Sequence, residues 1–524
     1  MTGNPIELTT CGLSLDELEA VAFGVPLVLS AQVDQRVQSS HQRLARYLDE
    51  NRCIYGVTTG YGPLANTLVG RDHSLELQQN LVAHLSAGVG APLSRLHTRA
   101  TMAARISALS RGYSGVSPDA LNTLLQCLNL DAIPVVPSMG TVGASGDLTP
   151  LAHIAGALMG RGEIRLAGSA PRPAHEVLET IGVTPFKPGG KDALALVNGT
   201  STMTGIAGLN GTGAGRALRW STLLTAAHAM VLGGRLEAWH PAFGELRPHP
   251  GQQRLHRWLN RLVENTGQAA EDSRTVDAGS LNYLDAPIQD PYSLRCAPQL
   301  LGAVSDQIEW HDRTVHTELN SVTDNPILPD ELDGVLHGGN FYGQHVALAS
   351  DALANAVITM AVHAERRIAR LCNPRLNAGL PAFLQPEKIG LQSGFMGAQV
   401  TASALLAEMR TKATPASIQS IPTNGDNQDV VTMGTIGARR TGDLLQLLYL
   451  MLAIDSLMAA QALDLRSDEA GGAAFGGPCG RLQAWVRRQA PKLVCDRPLT
   501  ADIERIATAL QQPGTLTDTV PWFD

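Results

Sequence analysis

The apolar positions divide the chain into two parts with different patterns. In the first 200 residues, short helical patterns (13–23, 73–85 and 95–109) alternate with turns rich in glycine and proline. Beyond them, long stretches without proline carry apolar residues at three- and four-residue spacing, which predicts helices. These stretches are residues 204–238, 344–371, 394–409 and 435–466. Because no alternating pattern typical of a strand is present, we predict a mainly α fold.

The long helical stretches are rich in Ala, Leu and Met and poor in charge. A helix that is apolar nearly all round must be covered on most sides. Charged residues make up only 17% of the chain, which also indicates that much surface is buried. We therefore expect an N-terminal domain over residues 1–200. Residues 201–524 should form a long-helix bundle and a C-terminal helical region, with outer helix faces that meet other subunits.

Composition and charge argue against several classes of partner. The net charge of −8 and the 4% share of aromatic residues disfavour a nucleic-acid partner. The longest strongly apolar run, residues 444–454, is too short to cross a bilayer, so we expect no membrane partner. The first residues include several acidic ones and lack the apolar core of a secretory signal. The seven dispersed cysteines are expected to be reduced thiols of a cytoplasmic protein.

The most informative motif is GTVGASGDLTP, residues 140–150. A nucleophile elbow needs G-x-S-x-G after a strand, whereas here Gly146 follows Ser145 directly and no strand is expected before it. If the Gly146 nitrogen meets the carbonyl carbon of Ala144, a five-membered ring can close, and only glycine leaves that approach open. Loss of water from the ring and from Ser145 would give an electrophilic exocyclic methylene. The alternative is an ordinary glycine turn between helices.

This motif resembles the signature of the ammonia-lyase and aminomutase family that carries the 4-methylideneimidazole-5-one (MIO) group. Histidine, phenylalanine and tyrosine ammonia-lyases belong to that family. Six further blocks resemble the family in its order: YGVTTGYGPLA (55–65), LVNGTS (196–201), QDPYSLRCAPQ (289–299), ELNSVTDNP (318–326), HGGNFYGQ (337–344) and NQDVVTMG (427–434). The resemblance implies a long-helix bundle of the histidine/phenylalanine ammonia-lyase type. It also implies a homotetramer with shared active sites, and a MIO formed from Ala144, Ser145 and Gly146 without external cofactor or metal.

The resemblance also implies the catalytic roles. Tyr55, in a glycine-rich loop that suits a lid, would remove the β-proton, and its neighbours must poise it because a free tyrosine has a pKa near 10. Asn198 would hydrogen-bond the MIO ring and hold developing negative charge on its oxygen. Tyr292 would lie near the ring, on the helical face of Arg295. The alternatives are a surface turn for Tyr55 and a cap of the following helix for Asn198.

Substrate contacts are implied in the same way. Arg295 would pair with the substrate carboxylate, because a guanidinium offers a fork of donors to two oxygens. An intersubunit salt bridge is the alternative for Arg295. Asn325 would add a hydrogen bond, and Phe341 would pack beside the ring. The other implied substrate-binding positions are Gly62, His84, Leu85, Asn427 and Gln428.

Gln428 and the His84–Leu85 pair bear on the choice of substrate. Histidine-type members carry a glutamate at the position of Gln428, and an amide there cannot balance a cationic imidazole. His84 and Leu85 match the family's selectivity pair, and a histidine first resembles the tyrosine-selective type, since an imidazole can hydrogen-bond a phenol. The implied reaction is loss of ammonia from L-tyrosine to give trans-4-coumarate. A 2,3-aminomutase, a phenylalanine- or histidine-selective lyase and a catalytically silent structural oligomer remain alternatives.

Overall fold

The structure is a computed structural model that describes residues 4–264, 288–472 and 475–520. It is mainly helical, as predicted. In the N-terminal part the α-helices are Leu15–Phe23 (α1), Ala31–Asp49 (α2), Ser74–Leu85 (α3), Arg95–Leu109 (α4), Pro118–Asn129 (α5), Leu148–Leu158 (α6), Ala174–Thr180 (α7) and Asp192–Val197 (α8). They are followed by Ser201–Leu232 (α9), Ala242–Leu246 (α10), Pro250–Val263 (α11), Tyr292–Arg295 (α12), Ala297–Leu319 (α13), Gln344–Cys372 (α14), Met396–Thr411 (α15), Gly434–Glu469 (α16), Gly477–Gln489 (α17), Thr500–Gln511 (α18) and Thr515–Thr519 (α19). Short 3-10 helices cover Gly62–Leu64, Arg71–His73, Leu236–Trp239 and Ala382–Leu384.

The four long helices predicted from periodicity are present as α9, α14, α15 and α16. The first of them is shorter than the periodic stretch 204–238, because α9 ends at Leu232. Gly233 has a φ of +64°, a left-handed conformation that ends a helix and that glycine adopts without strain. Local signals fix other ends as well. Ser14 and Glu17 form a reciprocal capping box at the start of α1.

The strands are short: Ile6–Leu8 (β1), Leu27–Leu29 (β2), Val89–Pro92 (β3), Ala132–Pro134 (β4), Pro137–Met139 (β5), Glu163–Leu166 (β6) and Arg172–Pro173 (β7). β1 pairs with β2 in parallel, β3 pairs with β5, and β4, β6 and β7 form an antiparallel sheet in that order. The expectation that no strand precedes Ser145 is therefore wrong, because β5 ends at Met139, shortly before it. A strand of three residues carries too little alternation to be recognised from sequence. Its pairing with β3 holds the segment that leads into the Ala-Ser-Gly motif.

The chain forms two compact units that do not follow a single boundary along the sequence. The first unit contains Met1–Thr212, Trp310–Ala352 and Pro415–Gly442. The second contains Gly213–Glu309, Leu353–Thr414 and Asp443–Asp524. Each unit has its own apolar core. Four of the five unit boundaries fall inside α9, α13, α14 and α16, and the fifth lies between Thr414 and Pro415, after α15. The domain boundary after residue 200 stays a prediction. The pattern of apolar residues changes there, whereas the first compact unit continues to Thr212 and also includes two later segments.

Two helices are long and apolar enough to cross a membrane by length and composition alone, namely Gln344–Cys372 and Gly434–Glu469. Their most apolar windows are 61% and 78% buried inside the protein. Such burial is typical of the core helices of a soluble protein, which need apolar residues on most faces.

Candidate active site

Most of the predicted site residues line one cavity of about 750 Å³ in the first compact unit. These residues are Tyr55, Gly62, His84, Leu85, Ala144, Ser145, Asn198, Asn325, Phe341, Asn427 and Gln428. They come from segments that are distant in sequence, and all of them belong to the first unit. Gly146 follows Ser145 directly in the same turn.

The Ala144–Gly146 segment is a tight turn with little space around it. Ser145 has a φ of +51° and Gly146 a φ of +74°, so both lie in the left-handed region. A Cβ atom on Gly146 would lie 2.1 Å from the carbonyl oxygen of Gly199. Only glycine fits at this position, next to a strained serine. The residues therefore fit the ring-forming Ala-Ser-Gly, whose closure needs an unobstructed nitrogen at the third position.

Two sets of hydrogen bonds hold this turn from outside. The Thr141 hydroxyl accepts from the Gly143 nitrogen and donates to the Gly146 oxygen, each at 3.1 Å. The nitrogen of Asp147 donates to the Gly199 oxygen at 2.7 Å, and the nitrogen of Gly199 donates to the Ser145 oxygen at 3.3 Å. The turn is thus bracketed on both sides of Ser145, which keeps the backbone bent without a contribution from the serine hydroxyl.

Tyr55 lies at the start of the glycine-rich loop, and its position is fixed at both ends. The Gly62 nitrogen donates to Tyr55 Oη at 2.9 Å, and the Tyr55 nitrogen donates to His337 Nε2 at 3.2 Å. The rings of Tyr55 and Tyr61 pack edge to face at 6.4 Å between centroids. Burial raises the pKa of Tyr61, so this second phenol stays protonated beside Tyr55. A backbone N–H that donates to the phenol oxygen stabilises negative charge there, which suits a tyrosine that gives up and takes back a proton.

The buried side chain of Gln78 connects this loop to the helix before Asn198. Its Nε2 donates to the Gly56 oxygen and to Tyr61 Oη, both at 3.0 Å. Its Oε1 accepts from the Leu194 nitrogen at 3.1 Å, inside the first turn of α8. A backbone N–H at that place has no partner within the helix, so Gln78 satisfies it. This anchor was not identified from sequence, because nothing in the pattern of α3 distinguishes Gln78 from a solvent-facing glutamine.

Asn198 is the residue at which α8 ends, and α9 begins three positions later at Ser201. The alternative that Asn198 caps the following helix is therefore wrong. Its Nδ2 donates to Asp324 Oδ1 at 3.2 Å and to the Asn325 oxygen at 2.8 Å. Because both amide hydrogens are engaged, a donor role toward a ring oxygen requires Asn198 to release one partner. The carboxylate of Asp324 is also in contact with the buried ammonium of Lys191.

The hydrogen bonds of His84 set which ring nitrogen is free. Its Nδ1 lies 2.9 Å from the carbonyl oxygen of Asn80, one turn earlier in α3. A carbonyl only accepts, so Nδ1 carries the hydrogen and Nε2 of the neutral ring is left as an acceptor. The Gln428 Oε1 accepts from the Thr423 hydroxyl at 2.7 Å, which leaves its amide group as a donor. His84 thus offers an acceptor and Gln428 a donor.

Tyr292 and Arg295 belong to the second compact unit, and they are absent from the described lining of the 750 Å³ cavity. They share the face predicted for them, because the Arg295 guanidinium carbon lies 4.8 Å from the centre of the Tyr292 ring. Tyr292 is 70% exposed. Arg295 contacts Gln289 and lines a separate cavity of about 280 Å³. Their roles at the active site stay predictions.

Other residues of the cavity wall were not predicted. They include Tyr61, Leu77, Leu81, Leu148, Leu194, Tyr342, Val430 and Val431. Helical spacing could have identified two of them, because Leu77 and Leu81 lie seven and three positions before His84 on one face of α3. Within the described ranges, no group of three or more metal-ligating side chains lies together.

Comparison with known proteins shows which family the chain is similar to. The family model for aromatic amino acid lyases matches residues 13–486. The chain is 47% identical to a tyrosine ammonia-lyase from Cereibacter sphaeroides over 95% of this chain and 96% of that protein. It is 41% identical to a histidine ammonia-lyase from Gloeobacter violaceus over 98% of this chain and 97% of that protein.

A solved structure agrees over nearly the whole chain. The crystal structure of tyrosine aminomutase from Streptomyces globisporus superposes with a TM-score of 0.92 at 35% identity, covering 98% of this chain and 99% of that one. The expected fold type and the expected carbon–nitrogen lyase are thereby confirmed. The sequence matches and the fold together show that the chain belongs to the aromatic amino acid lyase family.

Proposed function

We propose that the protein is a tyrosine ammonia-lyase that eliminates ammonia from L-tyrosine and forms trans-4-coumarate. The observation that carries this proposal is His84, an acceptor with a fixed tautomer in the cavity that also contains Tyr55 and Ser145. The relative that is 47% identical is a tyrosine ammonia-lyase, which agrees with this substrate.

The chemistry divides between a group made from the chain and ordinary side chains. Ala144, Ser145 and Gly146 would form the MIO, which supplies an electron sink for the substrate amine. Tyr55 would take the β-proton onto Oη, where the Gly62 nitrogen donates a hydrogen bond at 2.9 Å. His337 fixes the backbone of Tyr55 and thereby the place where the proton is received. The apolar wall, including Leu81 and Leu148, excludes water around the aromatic ring.

Selectivity follows from the hydrogen bonds at the substrate ring. His84 Nε2 would accept the hydrogen of the para-hydroxyl, because Nδ1 is used by Asn80. A phenylalanine ring offers no such hydrogen and would leave the imidazole acceptor unpaired. His84 is exposed in the open cavity, so this cost arises once the bound substrate covers its ring. An unpaired group that is buried in this way costs about 1–3 kcal/mol, which favours tyrosine over phenylalanine.

Tyr292 and Arg295 would act in the cavity of another subunit of a cytoplasmic homotetramer. Exposed apolar side chains on the long helices support assembly, for example Leu348 on α14, Val400 on α15 and Ile436 on α16. A stable oligomer would cover them. Light scattering of the purified protein tests this part of the proposal, since a monomer that is fully active would contradict shared sites.

A tyrosine 2,3-aminomutase is the second candidate. It is favoured by the agreement with the tyrosine aminomutase structure, at a TM-score of 0.92. The site allows either reaction, because both would use the same groups. The aminomutase returns ammonia to the β-carbon, so its product is an amino acid, whereas the lyase releases an unsaturated acid.

One experiment separates these candidates. Purified enzyme is incubated with tyrosine, phenylalanine or histidine, and the unsaturated product is followed by absorbance while chromatography monitors β-tyrosine. We expect coumarate from tyrosine to form fastest, with Ser145→Ala as the inactive control. Accumulation of β-tyrosine as the main product would identify the aminomutase, and faster turnover of histidine or phenylalanine would contradict the substrate.

A further inference from the structure

The short helix that carries Tyr292 and Arg295 is held from inside by two buried ring N–H groups. His363 Nε2 lies 2.7 Å from the carbonyl oxygen of Ser293. The Trp239 indole nitrogen donates to the carbonyl oxygen of Leu294 at 2.9 Å. Both carbonyls lie between Tyr292 and Arg295 in the chain. A helix of one turn has little stability of its own, so its orientation depends on such tertiary contacts.

The hydrogen bonds of His363 fix its ring completely. Arg367 Nη1 lies 2.8 Å from His363 Nδ1, and a guanidinium only donates. Nδ1 must therefore accept, which leaves the hydrogen on Nε2, facing the Ser293 carbonyl. Burial beside Arg367 lowers the pKa of His363 to about 3, so the ring stays neutral in this tautomer at ordinary pH.

Arg367 is held in turn by a buried carboxylate. Its Nε and Nη2 donate to Asp455 Oδ2 at 3.0 and 2.7 Å. Its Nη1 also donates to the Thr225 hydroxyl at 3.0 Å. The other oxygen of Asp455 lies 2.6 Å from His228 Nε2. These charged side chains are fully buried, so the cluster is a rigid base from α9, α14 and α16 beneath the short helix.

We infer that His363 is a positioning residue for substrate binding, because it transmits the fixed orientation of the Asp455–Arg367 pair to the helix that presents Arg295. The inference rests on the proposed role of Arg295 as the partner of the substrate carboxylate. His363 does not contact substrate in this scheme. It keeps the fork of Arg295 oriented, and a bidentate contact loses much of its strength when the fork turns away.

The test compares two amides of different reach in the assembled enzyme. The amide nitrogen of glutamine reaches as far as Nε2, so His363→Gln can still donate to Ser293. Asparagine reaches only as far as Nδ1, so His363→Asn keeps the Arg367 side and loses Ser293. The readout is the inhibition constant of 3-(4-hydroxyphenyl)propanoate relative to its primary amide, which isolates recognition of the carboxylate.

We expect His363→Asn to lower the preference for the carboxylate inhibitor about ten-fold. His363→Gln should retain part of the preference, because it keeps the donor to Ser293 and loses the acceptor for Arg367. His228→Asn is the matched control, because His228 contacts Asp455 and not the short helix. It should leave the preference unchanged even where it lowers stability. If His363→Asn does not assemble, His363→Leu keeps more of the ring volume and carries the same expectation.

A double-mutant cycle separates this inference from the proposed function. Arg295→Ala alone should remove the preference for the carboxylate, and adding His363→Asn should then change nothing further. If Arg295→Ala leaves the preference intact, the proposed role of Arg295 is wrong and the inference falls with it. If Arg295→Ala removes the preference while His363→Asn leaves it unchanged, or His228→Asn lowers it equally, only the positioning role of His363 is overturned.

Discussion

Two buried ionic clusters, one in each compact unit, accommodate charge in different ways. In the second unit, Asp455, Arg367 and His228 are all fully buried, and Arg367 uses each of its three nitrogens in hydrogen bonds. Arg367 and His228 hold the pKa of Asp455 at about 2 against the opposing effect of burial. The charges of Arg367 and Asp455 are matched, although His228 Nδ1 has no hydrogen-bond partner among the described residues.

The cluster beneath the cavity of the first unit is less complete. Lys191 pairs with Asp324, but the Nε and Nη2 atoms of Arg105 have no hydrogen-bond partner among the described residues. Arg105 is nevertheless buried, and its Nη1 is the atom that a Cβ on Gly199 would meet at 2.2 Å. Burial raises the pKa of Asp147, next to the Ala-Ser-Gly turn, to about 6.

This difference distinguishes the cluster at the candidate active site from the structural cluster of the second unit. Buried N–H groups without hydrogen-bond partners are costly, and they persist where a polar field and a strained backbone serve the chemistry. A buried ion pair with matched charges and several hydrogen bonds adds rigidity and contributes to a unique packing arrangement. Substitutions in the cavity of the first unit should therefore reduce activity with little unfolding, whereas substitutions in the second cluster should act on stability.

The largest effect on activity is expected for Ser145→Ala. The variant should assemble normally, because the bracketing hydrogen bonds of the turn come from Thr141 and Gly199 and not from the serine hydroxyl. It should lose nearly all activity, since no methylene can form. Mass spectrometry should show the wild type lighter than its sequence by two water molecules, and the variant without the loss from the serine. Activity above a few per cent of wild type would contradict the MIO assignment.

The largest effect on stability is expected for Asp455→Asn. Removing this carboxylate leaves the buried charge of Arg367 uncompensated, which costs about 3–5 kcal/mol in the free energy of unfolding. Chemical denaturation of the assembled protein measures it, with a substitution at an exposed carboxylate such as Asp330 as the control. A loss no larger than that of the control would mean that the second cluster is not the structural cluster inferred above.

The pKa of the same carboxylate predicts the direction in which stability changes with pH. The pKa of Asp455 falls from 3.8 to about 2 on folding, so its contribution is present above pH 3.8 and is lost as the pH falls through 2. Between pH 5 and pH 2, the free energy of unfolding should fall more steeply with decreasing pH in the wild type than in Asp455→Asn. Equal slopes would indicate that the ion pair with Arg367 does not persist in the folded protein.

A smaller effect is expected for Tyr55→Phe, which keeps the ring and removes the atom that accepts from Gly62. We expect kcat to fall by about 10²-fold, in line with the loss of a general base. Stability should change little, because the edge-to-face contact with Tyr61 is retained. Full activity of Tyr55→Phe would require another base and would leave the loop a structural element only.

The sequence predicts the parts of this molecule that depend on local pattern or on a recognisable motif. The helices α4 and α14 follow from the spacing of their apolar residues, and the predicted cavity residues gather in the first unit. What could not be predicted is which polar side chains meet across the fold. Gln78 and His363 look like ordinary polar residues of amphipathic helices, and their partners at Gly56 and Ser293 are backbone groups that leave no trace in composition.

The smallest and most discriminating effect is expected for His84→Phe. The ring nitrogen that accepts from the substrate hydroxyl is lost, and apolar surface takes its place beside Leu85 and Leu81. Tyrosine would then bury its hydroxyl without a partner, whereas phenylalanine would gain contact, so the kcat/KM ratio for tyrosine over phenylalanine should fall about ten-fold. His84→Gln, which still presents an amide oxygen at the same reach, is the matched control and should retain more of the preference. Both substrates should still react in every variant, because Tyr55 and Ser145 are untouched. Steady-state kinetics on both amino acids decide the matter, and an unchanged ratio in His84→Phe would mean that tyrosine is not selected at this position.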